Sequence, residues 1–230
     1  MIALDLEIPA GRVALEGSLS IPPGASGIVL FAHGSGSSRR SSRNVHVAHI
    51  LQAAGMATLL FDLLTRAEED VDVDTRQHRF DIPLLAERLM HATQWLDTQT
   101  ELDHPRLGYF GASTGSAAAL MAAATLGERV SAVVSRGGRP DLAGEALDRV
   151  TAPTLLIVGG ADSDVIELNR HAFEHLGCEK RLAIVPRATH LFEEPGTLDE
   201  VARLAAEWFA RYLHAPASAR GDRPDAMRGS

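Results

Sequence analysis

The sequence predicts an α/β domain: a mostly parallel twisted sheet with helices on both faces. Short apolar runs suited to buried strands recur at 28–32, 57–61, 106–110, 130–134, 154–158 and 182–185. Helical segments intervene at 45–54, 80–98 and 116–124, and one closes the series at 197–213. Such alternation implies parallel strands joined by crossover helices that bury both faces of the sheet. With 230 residues, 45% of them hydrophobic, the chain suffices for one domain with a substantial core.

The elements follow in order. Residues 3–8 and 12–20 alternate apolar and polar around Pro9-Ala10-Gly11, which reads as a hairpin. The helix through 45–54 stops at Gly55. Phe80–Thr98 has the spacing of a long amphipathic helix, whereas 62–79 receives no element. Only residues 136–152 separate the Val134 strand end from Pro153, leaving no room for an inserted cap domain. The pocket is therefore expected to be shallow and open. Residues 1–214 form the expected domain; 215–230 are small, polar and prolyl, as in a disordered tail.

Gly111-Ala112-Ser113-Thr114-Gly115 is the one G-x-S-x-G in the chain. It lies between a short apolar strand and an alanine-rich helix. A serine on such a turn is pushed into a strained conformation with its hydroxyl exposed, and the glycines avoid a clash where strand and helix cross. Ser113 is thus a candidate nucleophile. It needs a base to take its proton and a third group to orient that base. Among ten histidines, His190 alone lies on a loop directly after a late strand. The acid comes from the loop after 154–158, where Asp162 and Asp164 both stand. Asp162 is favoured as the closer to the strand end; Asp164 suits the N-terminus of the next helix. In a parallel sheet all three loops converge on one edge.

An acyl-transfer site also needs donors for the oxyanion. The Thr114 amide follows the nucleophile, and the small-residue run Ala32-His33-Gly34-Ser35-Gly36 after an earlier strand offers a second, from Ser35 with Gly36 as the next choice. That run lacks the spacing of a dinucleotide-binding loop and the lysine of a P-loop. Arg136 and Arg139 flank Gly137-Gly138 at the same sheet edge. They read as a loop anchored by ion pairs, or as guanidinium groups for a substrate carboxylate. Arg39, Arg40 and Arg43 read as a solvated helix start. His46/His49 and His171/His175 have helical spacing but no third ligand, so no metal is expected. No cofactor is expected either.

His33-Gly34-Ser35-Gly36, the Gly111–Gly115 turn, Gly159-Gly160-Ala161-Asp162 and Thr189-His190-Leu191-Phe192 together resemble the dienelactone hydrolase-like branch of the α/β-hydrolase superfamily. The resemblance covers nearly all of 1–214. It implies the α/β-hydrolase fold without a cap domain, with the first strands forming an antiparallel edge. It also implies a catalytic set of Ser113, Asp162 and His190. Dienelactone hydrolase proper uses a cysteine nucleophile, whereas position 113 is serine and the single cysteine, Cys178, lies outside every motif. The expected activity is therefore hydrolysis of small carboxylic esters. Hydrolysis of carboxylate-bearing lactones, or a non-catalytic interaction role on the same fold, stand as alternatives.

The net charge of −8 disfavours nucleic acid and anionic membrane surfaces as partners. No stretch approaches the ~18–20 apolar residues that span a bilayer, and the first residues carry acid where a leader needs base. A cytoplasmic enzyme acting on a small-molecule ester is the expectation.

Overall fold

A computed structural model of the chain describes residues 1–99 and 105–214; the expected tail at 215–230 lies outside them. Eight strands form one sheet: β1 (Ile2–Ala10), β2 (Val13–Ile21), β3 (Gly27–Ala32), β4 (Ala57–Phe61), β5 (Arg106–Ala112), β6 (Val130–Arg136), β7 (Thr154–Gly159) and β8 (Lys180–Val185). Their spatial order is β1-β2-β4-β3-β5-β6-β7-β8. Strand β2 runs antiparallel to both its neighbours, and the pairs from β4 onward are parallel. This is the α/β-hydrolase fold.

Burial follows position in the sheet. Central β3 reads Gly-Ile-Val-Leu-Phe-Ala and is buried throughout, because helices cover both its faces. Six helices accompany the strands: α1 (Ser42–Ala53), α2 (Arg66–Thr75), α3 (Ile82–Leu96), α4 (Thr114–Leu126), α5 (Ser163–His175) and α6 (Thr197–Leu213). Helices α3 and α4 close one face, with Leu85, Leu89 and Leu120 in its core. Helices α1 and α6 close the other, where Val47 and Leu51 meet Val201, Leu204, Trp208 and Phe209. The i, i+3, i+4 spacing of these α6 residues is what aims them all at the sheet. Helix α4 has almost no polar side: residues 117–120 are buried all round, and the small alanines let sheet, α3 and the 140–149 segment approach it closely.

The structure corrects two expectations. Strand β8 is the sheet's edge, and only Val185 of its six residues is buried. Its apolar composition had suggested full burial, but it has a neighbour on one side only. Residues 66–75, left without an element, form α2. This helix carries little apolar surface and is started by a capping box, in which the Thr65 hydroxyl accepts from Glu68 N–H and the Glu68 carboxylate accepts from Thr65 N–H. Residues 140–149 form tight 3-10 turns with a kink at Gly144, packed on α4 and α5.

The sequence of β3 followed by β4 on one side and β5 on the other makes the chain diverge between β3 and β5. Loops leaving these strands at their C-terminal ends open a crevice there.

Replacing Phe209, which is fully buried in the α1/α6 layer, by alanine is expected to destabilise the fold by about 3–5 kcal/mol. Phe80→Ala, at a side chain 54% exposed, should change it by less than about 1 kcal/mol. Urea unfolding of the two variants checks the contrast; equal losses would mean that α6 is not the main apolar cover of that face.

Candidate active site

Strand β5 ends at Ala112 and α4 begins at Thr114, so Ser113 takes the whole change of direction. Its φ of 50° and ψ of −122° lie where side chains are strained. Local packing leaves little alternative. A Cβ on Gly115 would lie 2.1 Å from the Ala32 carbonyl oxygen, and one on Gly34 would lie 2.9 Å from Ser113 Cβ. Hydrogen bonds fix the turn: Ser113 N–H donates to Arg136 O at 3.3 Å, and Arg139 N–H donates to Ser113 O at 3.0 Å.

The loop after β3 reaches across to this turn. Ser35 Oγ lies 3.1 Å from Thr114 Oγ1 and 3.3 Å from the Arg79 carbonyl. Its one proton serves Arg79, so Thr114 donates to Ser35. Among the described residues neither Ser35 N–H nor Thr114 N–H has an acceptor. Gly36 lines the same cleft with φ at 65°. Beneath, buried His33 donates from Nδ1 to the Gly34 carbonyl (3.0 Å) and accepts Leu63 N–H at Nε2 (3.0 Å). Both ring nitrogens are thereby used with the ring neutral. Burial holds its pKa below the ordinary imidazole value, outweighing the Gly34 bond and the Asp62 charge.

The exits of β7 and β8 are fastened together. Gly160 N–H donates to Val185 O at 2.8 Å and Ala161 N–H to Ala188 O at 2.9 Å. These bonds bring Asp162 Oδ2 to 2.8 Å from His190 Nδ1, which donates to it. Asp164 sits exposed in the first turn of α5, where a carboxylate meets the helix's positive end. On the far side of the His190 loop, Glu194 accepts from Thr189 N–H (3.0 Å) and Thr189 Oγ1 (2.7 Å). His190 packs beside Gly137, its Cε1 3.7 Å from where a Cβ there would stand. Gly137 follows Arg136, whose carbonyl holds Ser113. The Ser113 hydroxyl itself makes no hydrogen bond among the described residues; serine–imidazole bonds commonly tighten only when substrate arrives.

Of the two loop arginines, Arg139 grips Asp141 through Nε (2.9 Å) and Nη2 (2.8 Å). Arg136 is buried, and among the described residues its side chain has no hydrogen-bond or ion-pair partner. In the basic cluster, Arg39 pairs with Asp62 and Glu16, Arg43 approaches Glu193 at 3.5 Å, and Arg40 lines the cleft. His46 contacts Asp199 at 2.7 Å, and His171 stacks edge-on against His175. Cys178 is half-buried with its thiol pKa pushed up by burial.

A cleft of about 510 Å³ opens over the β3–α1 loop and Thr114. Its apolar wall is Leu63, Leu64, Val73 and Leu85, from the β4 exit, α2 and α3. The expected shallow pocket is thus walled on one side by a segment that the sequence reading left unassigned. Asp72 on α2 anchors this wall. It accepts from Arg79 Nε (2.6 Å) and from the N–H groups of His78 and Arg79 (2.7 and 3.0 Å). The Thr65/Glu68 capping box is the one local signal that marks the segment in the sequence. Among the described residues no helix is long and apolar enough to cross a membrane.

The model of the dienelactone hydrolase family matches residues 15–215. A crystal structure of a dienelactone hydrolase from Anabaena variabilis is 60% identical, with a TM-score of 0.91, over 93% of this chain and 99% of that one. Est1E from Butyrivibrio proteoclasticus, bound to ferulic acid, shares the fold at 16% identity and a TM-score of 0.77, over 90% of this chain and 99% of that one. A protein of Mycobacterium tuberculosis, provisionally named a phosphoribosyl transferase, is 56% identical over 212 residues. The match takes in 92% of this chain and 47% of that protein, so the chain spans about half the length of the curated relatives it matches.

The His33 environment gives a pH dependence. Its folded pKa is depressed, so below about 6.5 the unfolded chain binds a proton that the folded chain resists. Stability from this group is complete above that pH and is lost as pH falls toward the folded value. Urea midpoints should drop between pH 7 and 5, and His33→Gln should flatten that drop. An unchanged slope in the variant would show that His33 is not held neutral.

Proposed function

The chain belongs to the dienelactone hydrolase family, and we propose that within it the protein is a serine hydrolase of small carboxylic esters. The observation that carries this reading is the Asp162–His190 hydrogen bond, at the sheet edge where strained Ser113 presents its hydroxyl. Ser113 Oγ attacks the ester carbonyl and passes its proton to His190 Nε2. Asp162 keeps the other imidazole nitrogen protonated and steadies the imidazolium. The carbonyl oxygen, now negative, takes N–H bonds from Ser35 and Thr114, both free to give them. Collapse expels the alcohol, which collects its proton from His190. Water then enters and attacks the acyl carbon, losing a proton to the same nitrogen, and His190 returns that proton to Ser113 Oγ as the acid leaves.

A second reading, hydrolysis of a cyclic ester, draws support from the 60% identity with the dienelactone hydrolase of Anabaena variabilis. It uses the same three residues. The transferase name belongs to proteins about twice as long, and the site geometry here supports acyl transfer to water. Arg139, held by Asp141, is poorly placed to serve a substrate carboxylate, which leaves Arg136.

Ser113→Ala should lower kcat/KM on p-nitrophenyl butyrate by about a thousandfold or more without changing the unfolding midpoint much. Asp162→Asn should cost about a hundredfold or more, and Asp164→Asn less than about threefold. If Asp164→Asn proves the more damaging, the acid is misassigned while the reaction class stands.

Acyl length provides an independent check. Each methylene in contact with the apolar wall contributes about 0.8 kcal/mol, roughly fourfold in binding. Gains end where the chain leaves the cleft, so acetate or butyrate esters should be best and octanoate clearly poorer. An optimum at about ten carbons or beyond would require a deep tunnel in place of an open cleft.

A further inference from the structure

Arg136, Arg43 and the N-terminus of α1 all lie at the sheet edge that carries Ser113, and among the described residues one carboxylate, Glu193, is within ion-pair distance of them. Arg136 ends β6, and strand alternation puts its side chain on the face of Val134, toward α1 and α6. It is 8% exposed. Its guanidinium makes no hydrogen bond or ion pair among the described residues, and Nε and Nη1 are wholly buried. Arg43, in the first turn of α1, lines the cleft. Its Nε is likewise buried without an acceptor, and Nη1 stands 3.5 Å from the exposed Glu193 carboxylate. Burial, and then the Arg43 charge, lowers the Arg136 pKa to about 10. Geometry places the two cations together: Phe192 Cε2 lies 3.3 Å from where a Cβ on Gly137, next to Arg136, would stand, and Glu193, next to Phe192, faces Arg43.

Helix α1 adds to the imbalance. The Ser41 side chain does not cap it, its first turn holds no acidic residue, and among the described residues the N–H groups of Ser42, Arg43 and Asn44 have no acceptor. A cation in the first turn opposes the helix dipole. An unpaired buried guanidinium is costly on its own. Each feature weakens the fold, and all three are relieved by one anion placed among them.

We propose that Arg136, Arg43 and the N-terminus of α1 form a binding site for a phosphate group, either free or carried by the substrate. Two guanidinium charges and a helix end, facing among the described residues one exposed carboxylate, Glu193 at 3.5 Å from Arg43, leave an excess of positive charge that suits a dianion better than a carboxylate. Three phosphate oxygens also suit donors arriving from β6 and α1 together. The site adjoins the reaction centre on the esterase reading, on which this placement rests. Ser41, Ser42 and Arg43 share the cleft with Ser35 and Thr114, and the Arg136 carbonyl holds Ser113.

The test is calorimetric titration of the full chain with inorganic phosphate at constant ionic strength. Saturable one-to-one binding is expected, weakened about tenfold or more in both Arg136→Met and Arg43→Met and unchanged in Arg170→Met, an exposed control. Arg136→Met removes an unpaired buried charge, so its urea midpoint without phosphate should equal or exceed that of the parent. Should it fail to fold, Arg43→Met carries the test. Absence of saturable binding, unaltered binding in Arg43→Met, or tighter binding of malonate than of phosphate would overturn the proposal. Ser113→Ala should bind phosphate as the parent does, so loss of the esterase reading and loss of this site are separately visible. Higher kcat/KM for a phosphorylated ester than for its neutral counterpart, abolished by Arg43→Met, assigns the phosphate to the substrate. Equal values together with phosphate binding assign the site to the free ion.

Discussion

At the start of α4 the main chain of Gly115 passes so close to Ala32 that a Cβ would sit 2.1 Å from the carbonyl oxygen. The site depends on that approach. It brings the end of β3 against the end of β5, so that the Ser35 and Thr114 amides end up on neighbouring loops. It also forces the reversal of direction onto Ser113, whose dihedral angles cost about 1–3 kcal/mol in strain. The Ser113 amide and carbonyl are both tied to the β6 exit, at Arg136 and Arg139. The buried core beneath outweighs the strain, and the serine hydroxyl is left without a competing hydrogen bond.

The same logic positions the other two groups. Sheet-edge loops are ordinarily the loosest part of such a fold, and β8 is an exposed edge. Here the β7 and β8 exits share two backbone hydrogen bonds, and Gly159 lets the loops touch, since a Cβ there would be 2.4 Å from Ala188 O. Asp162 and His190 are therefore held together as one unit beside the Ser113 turn. Gly137, next to Arg136, is the contact through which that unit meets the serine turn. Small residues at crossings, more than any single strong interaction, set the geometry.

Much of this was legible in the sequence, for identifiable reasons. Strands β3, β5, β6 and β7 are continuous apolar runs, and helix α6 spans Thr197–Leu213 as its periodicity indicates. Ser113, Asp162 and His190 each lie on the loop or turn that leaves a strand's C-terminal end, so the parallel topology alone assigns them to one edge. Other features depend on contacts between distant residues. Helix α2 is mostly exposed, and apolar periodicity cannot mark a helix with so little to bury; the cleft wall was missed with it. Strand β8 has the composition of a buried strand and the position of an edge. Arg136 and Arg139 look alike in sequence, yet Asp141 neutralises one while the other turns into the α1/α6 layer unpaired. The role of His33, spanning the Gly34 carbonyl and the Leu63 amide, depends on two strands that meet only in the fold.

If this backbone arrangement makes Ser113 a nucleophile, as we propose, a fluorophosphonate should label it. Such a probe forms a stable phosphonyl ester only with a serine whose proton is taken by a base and whose oxyanion donors are in place. Peptide mass spectrometry should locate one adduct, on Ser113, and prior addition of p-nitrophenyl butyrate should slow its formation. No labelling, or an adduct on another serine, would mean that Ser113 is not the activated serine.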